Sequence, residues 1–287
     1  MTRRTDPEWL ADQYNNRARV PQHGAIIAGW QQASARVRAT VPCELDIAYG
    51  DSAAERLDVF RPQGPRPAAG APVLLFIHGG WWRSLDKADH SFVAAGFAPR
   101  GALVVVPNYA LCPAVGIDTI ALQMAQAVAW TWRNARRLGG DPSRLVVAGH
   151  SAGGHLAAML LCAHWPAVGP DLPAGLVNQA LAVSGLFDLD PIARTPFLQP
   201  DLRLTPEAVR RLSPAGFAPP AGRLLTVAGG LESEEFLRQN RLIRRRWGAA
   251  HVPVCEAIPG RNHFDVIDTL AEPGSRVHTL ACGLLGL

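Results

Sequence analysis

Apolar and polar positions follow two rhythms along this chain. Five short runs are continuously apolar: residues 73–77, 103–106, 145–148, 180–183 and 224–228. A further run, 252–258, is more mixed, with Glu256 inside it. Unbroken apolar runs of this length suit strands covered on both faces, as in a parallel sheet between helices. Helix-period stretches separate many of them. The clearest is 117–138, which ends at Gly139 and Gly140, a good stop signal. The alternation predicts an α/β fold, with a mostly parallel central sheet and crossover helices flanking it.

The rhythm changes at three places. Residues 6–20 read as a short polar helix with Trp9, Leu10 and Tyr14 as its packing stripe, and 24–38 as a second helix. Residues 44–49 and 56–60 alternate with period two, with Gly50 and Asp51 in the turn between, and 63–71 is a Pro/Gly/Ala loop. The Leu/Pro/Arg-rich interval 186–219 is long for a single crossover and predicts a small helical cap over one end of the sheet. The chain reads as one domain, 1–287, with 1–40 as an N-terminal helical segment.

Composition narrows the partners. With 48% hydrophobic and 18% charged residues, the chain is globular rather than disordered. The net charge of +4 is a small surplus. Its densest run, residues 241–246, falls in a helical stretch and reads as a solvated face, so no nucleic-acid partner is expected. No window is apolar enough to predict a membrane span. The five cysteines (Cys43, Cys112, Cys162, Cys255, Cys282) form no CxxC or zinc spacing and read as free thiols of a reducing compartment. Residues 1–16 carry no apolar signal core, so the expected location is the cytoplasm. No nucleotide-binding glycine motif, HExxH or calcium loop is present, and no metal or cofactor is expected.

The chemistry concentrates at Gly149-His150-Ser151-Ala152-Gly153, a G-x-S-x-G sequence between an apolar strand and the apolar, helix-forming stretch 156–163. That context is what a nucleophile elbow requires: a sharp turn with small neighbours that lifts the serine Oγ out of the sheet. A serine also needs a base and oxyanion donors. His78-Gly79-Gly80-Trp81 follows directly on the run 73–77. Its glycines let the Gly79 and Gly80 amides approach a substrate oxygen, and the amide of Ala152 adds another donor. His78 is expected to orient this loop. The base should follow the acid in chain order, which selects His263, in a Gly-containing loop after the last strand. His150 and His155 flank the serine and cannot easily turn back to it. The acid stays open among Glu232, Glu234 and Glu235 after the run 224–228, with Asp188 as a rival. Glu232 lies nearest the strand end. For the other two glutamates the alternative is a solvated first helical turn. Trp81, Trp82 and His150 are candidate pocket walls.

These motifs resemble the α/β-hydrolase esterase branch related to hormone-sensitive lipase, and within it the kynurenine formamidase (arylformamidase) group. Further stretches carry the resemblance: 14–20, 85–87, 108–113, 232–239 and 262–265. In that group the motif similar to 232–236 often begins with the triad aspartate, which implies Glu232 as the acid, one methylene longer. Trp81-Trp82 stands where the group often has Tyr-Trp. The resemblance implies a serine hydrolase acting on a small aryl formamide such as N-formylkynurenine, or on a short-chain ester. A non-catalytic ligand-binding relative of the same fold is the alternative of another class.

Overall fold

The computed structural model describes residues 5–64 and 68–287. The first four positions of the leader reading over 1–16, and 65–67 of the expected 63–71 loop, lie outside the described residues. The helices are α1 (Pro7–Tyr14), α2 (Asn16–Arg19), α3 (His23–Thr40), α4 (Ile117–Asn134), α5 (Ala152–Leu161), α6 (Trp165–Val168), α7 (Asp190–Ala193), α8 (Gln199–Leu202), α9 (Pro206–Leu212), α10 (Glu234–Trp247), α11 (Asp268–Ala271) and α12 (Arg276–Leu285). The strands are β1 (Cys43–Ala48), β2 (Arg56–Phe60), β3 (Ala71–Ile77), β4 (Leu103–Pro107), β5 (Gly140–His150), β6 (Gln179–Val183), β7 (Arg223–Gly229) and β8 (Cys255–Ile258). They form one sheet in the order β1-β2-β4-β3-β5-β6-β7-β8. The β1–β2 and β2–β4 pairs are antiparallel, and every pair from β4 to β8 is parallel.

Alternation of side chains explains why the central strands are apolar throughout. Val73, Leu75 and Ile77 of β3 belong to one core with Met124 of α4, Leu156 of α5 and Phe236 of α10. Leu74 and Phe76 belong to a second core with Trp30 of α3 and Val277 of α12. Each strand residue meets a helix layer on whichever face it points to, so both register positions favour apolar residues, and a buried exception, Thr226 of β7, donates to Asn240. Each fully buried Leu or Phe contributes about 1.5–3 kcal/mol of transfer free energy.

The N-terminal helix expected over 6–20 is broken into α1 and α2. The side chain of Asn15 accepts from the Ala18 amide and starts a new cap there. Asp6 caps α1 by accepting from the amides of Glu8 and Trp9. Leu10 and Tyr14 are fully buried. Between β6 and β7 the chain forms three short helices, α7 to α9. Among the described residues no helix is long and apolar enough to cross a membrane.

Strand order reverses at β3, which lies between β4 and β5. Crevices at the carboxyl ends of strands beside such a reversal are where open α/β sheets place their sites. The loops after β3, β5, β7 and β8 all leave from that end.

Candidate active site

The register of the sheet brings two loops into contact. Ile77 pairs with Gly149, so Gly79 and Ser151, each two residues further on, lie side by side. A Cβ on Gly79 would stand 3.2 Å from the Ser151 Cβ and 2.9 Å from the His150 carbonyl oxygen. Ser151 joins β5 to α5 with φ 56° and ψ −115°, a conformation L residues rarely adopt. The turn closes only because its flanks lack side chains. A Cβ on Gly149 would come within 2.2 Å of the Gly153 carbonyl oxygen, and one on Gly153 within 2.0 Å of that of Ile77.

Three side chains from three loops form one line. Ser151 Oγ is 3.1 Å from His263 Nε2, and His263 Nδ1 is 2.7 Å from Glu232 Oε2. An ionised carboxylate only accepts hydrogen bonds, so the imidazole proton belongs on Nδ1 and the Nε2 lone pair faces the hydroxyl. The register Gly229↔Ile258 between β7 and β8 sets the acid and base loops next to each other. The other oxygen of Glu232 accepts from the Gly229 amide at 2.6 Å and from the Ser184 hydroxyl. The three side chains are buried, with Glu232 the most exposed residue at 8%.

The rival carboxylates go elsewhere. Asp188 accepts from Arg238 at 3.2 Å. Glu234 is exposed at the start of α10. Glu235 departs from the solvated-turn reading. It is buried, held by Arg238 at 2.8 Å and by the Tyr14 hydroxyl at 2.8 Å. A buried carboxylate persists only when paired and hydrogen-bonded in this way. Its α1 partner is 221 residues away in sequence, which local pattern cannot register.

Among the described residues, the amides of Gly79, Gly80 and Ala152 donate to no carbonyl in the turns and loops. His78 holds the Gly79-Gly80 loop from behind: its Nδ1 is 2.7 Å from the Gly79 carbonyl, its Nε2 3.1 Å from Asn108 Oδ1, and its ring stacks on Tyr109 at 4.2 Å. His150 Nε2 is 2.8 Å from the His263 carbonyl oxygen. That acceptor fixes the proton on Nε2 and steadies the backbone of His263. Burial, with the His263 ring nearby, holds His150 well below its ordinary pKa, so its ring is neutral.

A cleft of about 330 Å³ opens over Ser151 and His263. Trp81, Gly80 and His150 line it. Trp82, expected beside Trp81 on the wall, is instead fully buried behind it, edge-on to His155 at 5.1 Å. Both tryptophans have left-handed φ, 56° and 55°, and their rings remain in contact at 6.3 Å, tilted 58° to one another. Several lining residues were not among the expected pocket walls: Asn16 and Arg17 on α2, Trp30 on α3, and Arg83, Phe197 and Phe264. The aromatic and polar mix at 14–17 was the available signal, since a surface helix rarely needs it. No group of three or more His, Cys, Asp or Glu among the described residues is placed to hold a metal ion.

Comparison with known proteins agrees with this architecture. The family model described as BD-FAE matches residues 57–165. The kynurenine formamidase of Danio rerio is 30% identical over 271 residues, spanning 91% of this chain and 88% of that protein. A solved structure of a candidate thioesterase from a Silicibacter species has 29% identity and a TM-score of 0.82, over 97% of this chain and 99% of that one. An esterase from Pyrobaculum calidifontis shares the fold at a TM-score of 0.68 and 19% identity, over 92% of this chain and 93% of that one.

Proposed function

The chain belongs to the kynurenine formamidase family of α/β-hydrolases, which are serine-type hydrolases, and on that premise we propose that Ser151, His263 and Glu232 are its catalytic triad. The observation that carries this reading is the continuous line from Ser151 Oγ through His263 to Glu232, at 3.1 and 2.7 Å. His263 takes the serine proton as Oγ attacks the substrate carbonyl. The negative charge that develops on the carbonyl oxygen is met by the amides of Gly79, Gly80 and Ala152. His263 then returns the proton to the leaving nitrogen or oxygen, and Glu232 stabilises the imidazolium throughout. Water attacks the acyl-enzyme by the same steps in reverse roles. Removing one oxyanion donor in such a site costs about a hundredfold or more in rate.

The substrate in this reading is an aryl formamide of the N-formylkynurenine type. The aromatic lining by Trp81, Trp30 and Phe197 suits a flat leaving group. The whole chain acts as one catalytic domain, and 186–219 serves as a cap whose Phe197 and Asp201 face the cleft. Five unpaired thiols suit a cytoplasmic enzyme. A head-to-head comparison of kcat/KM for N-formylkynurenine with that for p-nitrophenyl acetate and butyrate tests the substrate. The formamide should be preferred. A much larger value for the esters would make the enzyme a general carboxylesterase.

A further inference from the structure

The cleft contains polar groups that the triad does not use, and their charges do not balance. Apart from His150 and His263, three residues with carboxylate or basic side chains line it: Arg17, Arg83 and Asp201. Arg83 and Asp201 form an ion pair and cancel, and Arg83 is held further by the Phe197 carbonyl at 2.8 Å. Arg17 makes no ion pair with any described residue. It therefore leaves a single uncompensated positive charge in the wall of the cleft.

The adjacent residue adds an independent observation. Asn16 is only 5% exposed, lines the same cleft, and its side-chain nitrogen has no hydrogen-bond partner. An amide N–H left unsatisfied in a buried position is costly and calls for an acceptor, and here the position opens onto the cleft. The position is enforced by the fold. The Asn15 side chain caps α2, and the Tyr14 hydroxyl anchors the end of α1 to Glu235. Neither contact gives the Asn16 amide an acceptor.

Both groups are donors and neither can accept a hydrogen bond through these atoms. A guanidinium beside an unpaired amide N–H₂ is complementary to a planar anion with two acceptor oxygens. We propose that Asn16 and Arg17 form an anchor for a carboxylate carried by the substrate away from its scissile carbonyl. They thereby make the enzyme selective for acid-bearing substrates over neutral ones. This rests on the hydrolase reading above and refines its substrate class. The anchor is a specificity device only. It leaves the chemistry at Ser151 unchanged and acts through ground-state binding, so its loss raises KM and spares kcat.

The test uses the desamino form of N-formylkynurenine, 4-(2-formamidophenyl)-4-oxobutanoate, its neutral carboxamide, and p-nitrophenyl acetate, with the full-length chain. The wild type should prefer the acid over the carboxamide by about tenfold in kcat/KM, the worth of one charge-assisted Arg–carboxylate contact. Arg17→Met should erase that preference by raising KM for the acid, with the carboxamide and the acetate within about twofold of wild type. Arg17 is exposed, so its exchange spares the fold, and Arg17→Lys should retain part of the preference. Asn16→Ala should reduce it in the same direction. Equal kcat/KM for acid and carboxamide in the wild type overturns the anchor while leaving the hydrolase reading intact. So does a preference that survives in Arg17→Met. A wild type inactive on all three compounds overturns the hydrolase reading itself, and the anchor with it.

Discussion

Tyr14 donates its hydroxyl to Glu235 Oε2 at 2.8 Å and so fastens α1 to α10. Gln239 completes the joint, donating to the Tyr14 oxygen at 3.3 Å and to the Asp188 carbonyl at 2.8 Å. The Tyr14 ring also meets Trp81 edge-on at 5.9 Å. The N-terminal wall of the cleft, the oxyanion loop and the helix after the acid loop are therefore held in one buried cluster. Tyr14→Phe keeps the ring and deletes the bond to a charged acceptor. It should lower stability by about 1.5–3 kcal/mol, read by urea denaturation. It should also raise KM for the bulkier substrate more than for p-nitrophenyl acetate. An unchanged denaturation midpoint would show that the joint contributes nothing.

Glu232 offers a sharper distinction between charge and shape. Glu232→Gln preserves the size but cannot stabilise an imidazolium, and its amide can present a donor to Nδ1 in place of an acceptor. In a triad that exchange lowers kcat by about ten-thousandfold through the wrong tautomer. Glu232→Asp keeps the charge on a side chain one methylene shorter and should recover a large part of the loss. Steady-state kinetics of both variants decide the point. Equal activity of Gln and Glu would remove Glu232 from the mechanism.

Ser184 supports that carboxylate without touching substrate. It follows β6 with φ 54° and directs its hydroxyl to Glu232 Oε1. Ser184→Ala leaves the Gly229 amide as the remaining donor to that oxygen. A hydrogen bond to a charged group is worth about 1.5–3 kcal/mol, so kcat should fall by about 10–100-fold if the whole term is expressed in the transition state. The loss is one of position, since without the hydroxyl the carboxylate is free to turn away from Nδ1, so KM should be little changed. A kcat equal to that of the wild type would show that the Gly229 amide alone holds the carboxylate.

Acid should destabilise the fold. His78, His90, His150 and His155 are buried, and burial holds each imidazole below its ordinary pKa, His155 at about 4 and His90 at about 3. In the unfolded chain each binds a proton near pH 6.5. Below about 6.5 the unfolded state therefore binds more protons, and stability falls until the folded values are reached. Asp268, raised to about 6 by burial, acts in the opposite sense between its unfolded value near 4 and 6. One such group is outweighed by four histidines. Thermal unfolding should show a lower Tm at pH 5 than at pH 7.5, and His155→Gln should narrow the gap. A Tm independent of pH across that range would contradict the assignment of neutral buried rings.

Much of the sheet was legible because its physics is local. A strand covered on both faces is apolar at nearly every position, so 73–77, 103–106, 145–148, 180–183 and 224–228 all fall inside strands of the structure, buried Thr226 being accommodated by its hydrogen bond to Asn240. The polar start of β5 at Gly140 was not legible, since those residues pair at the edge of the register rather than filling a core. The elbow glycines were legible because their role is steric and lies within five residues. Choosing among Glu232, Glu234 and Glu235 was not a local matter, because the three differ only in what the fold brings to them. His263 meets the first, solvent the second, and Arg238 with Tyr14 the third. The burial of Trp82 depends on two successive left-handed residues, which composition does not announce. The contribution of Asn16, Arg17 and Trp30 to the cleft is tertiary throughout.

The most direct test of the central claim is covalent labelling by a fluorophosphonate, with the modified peptide identified by mass spectrometry. The account predicts a single adduct on Ser151, loss of hydrolysis in proportion to labelling, and no adduct in Ser151→Ala or in a fully inactive His263→Ala. Labelling at another residue, or a Ser151→Ala variant that still hydrolyses p-nitrophenyl acetate at the wild-type rate, would contradict it.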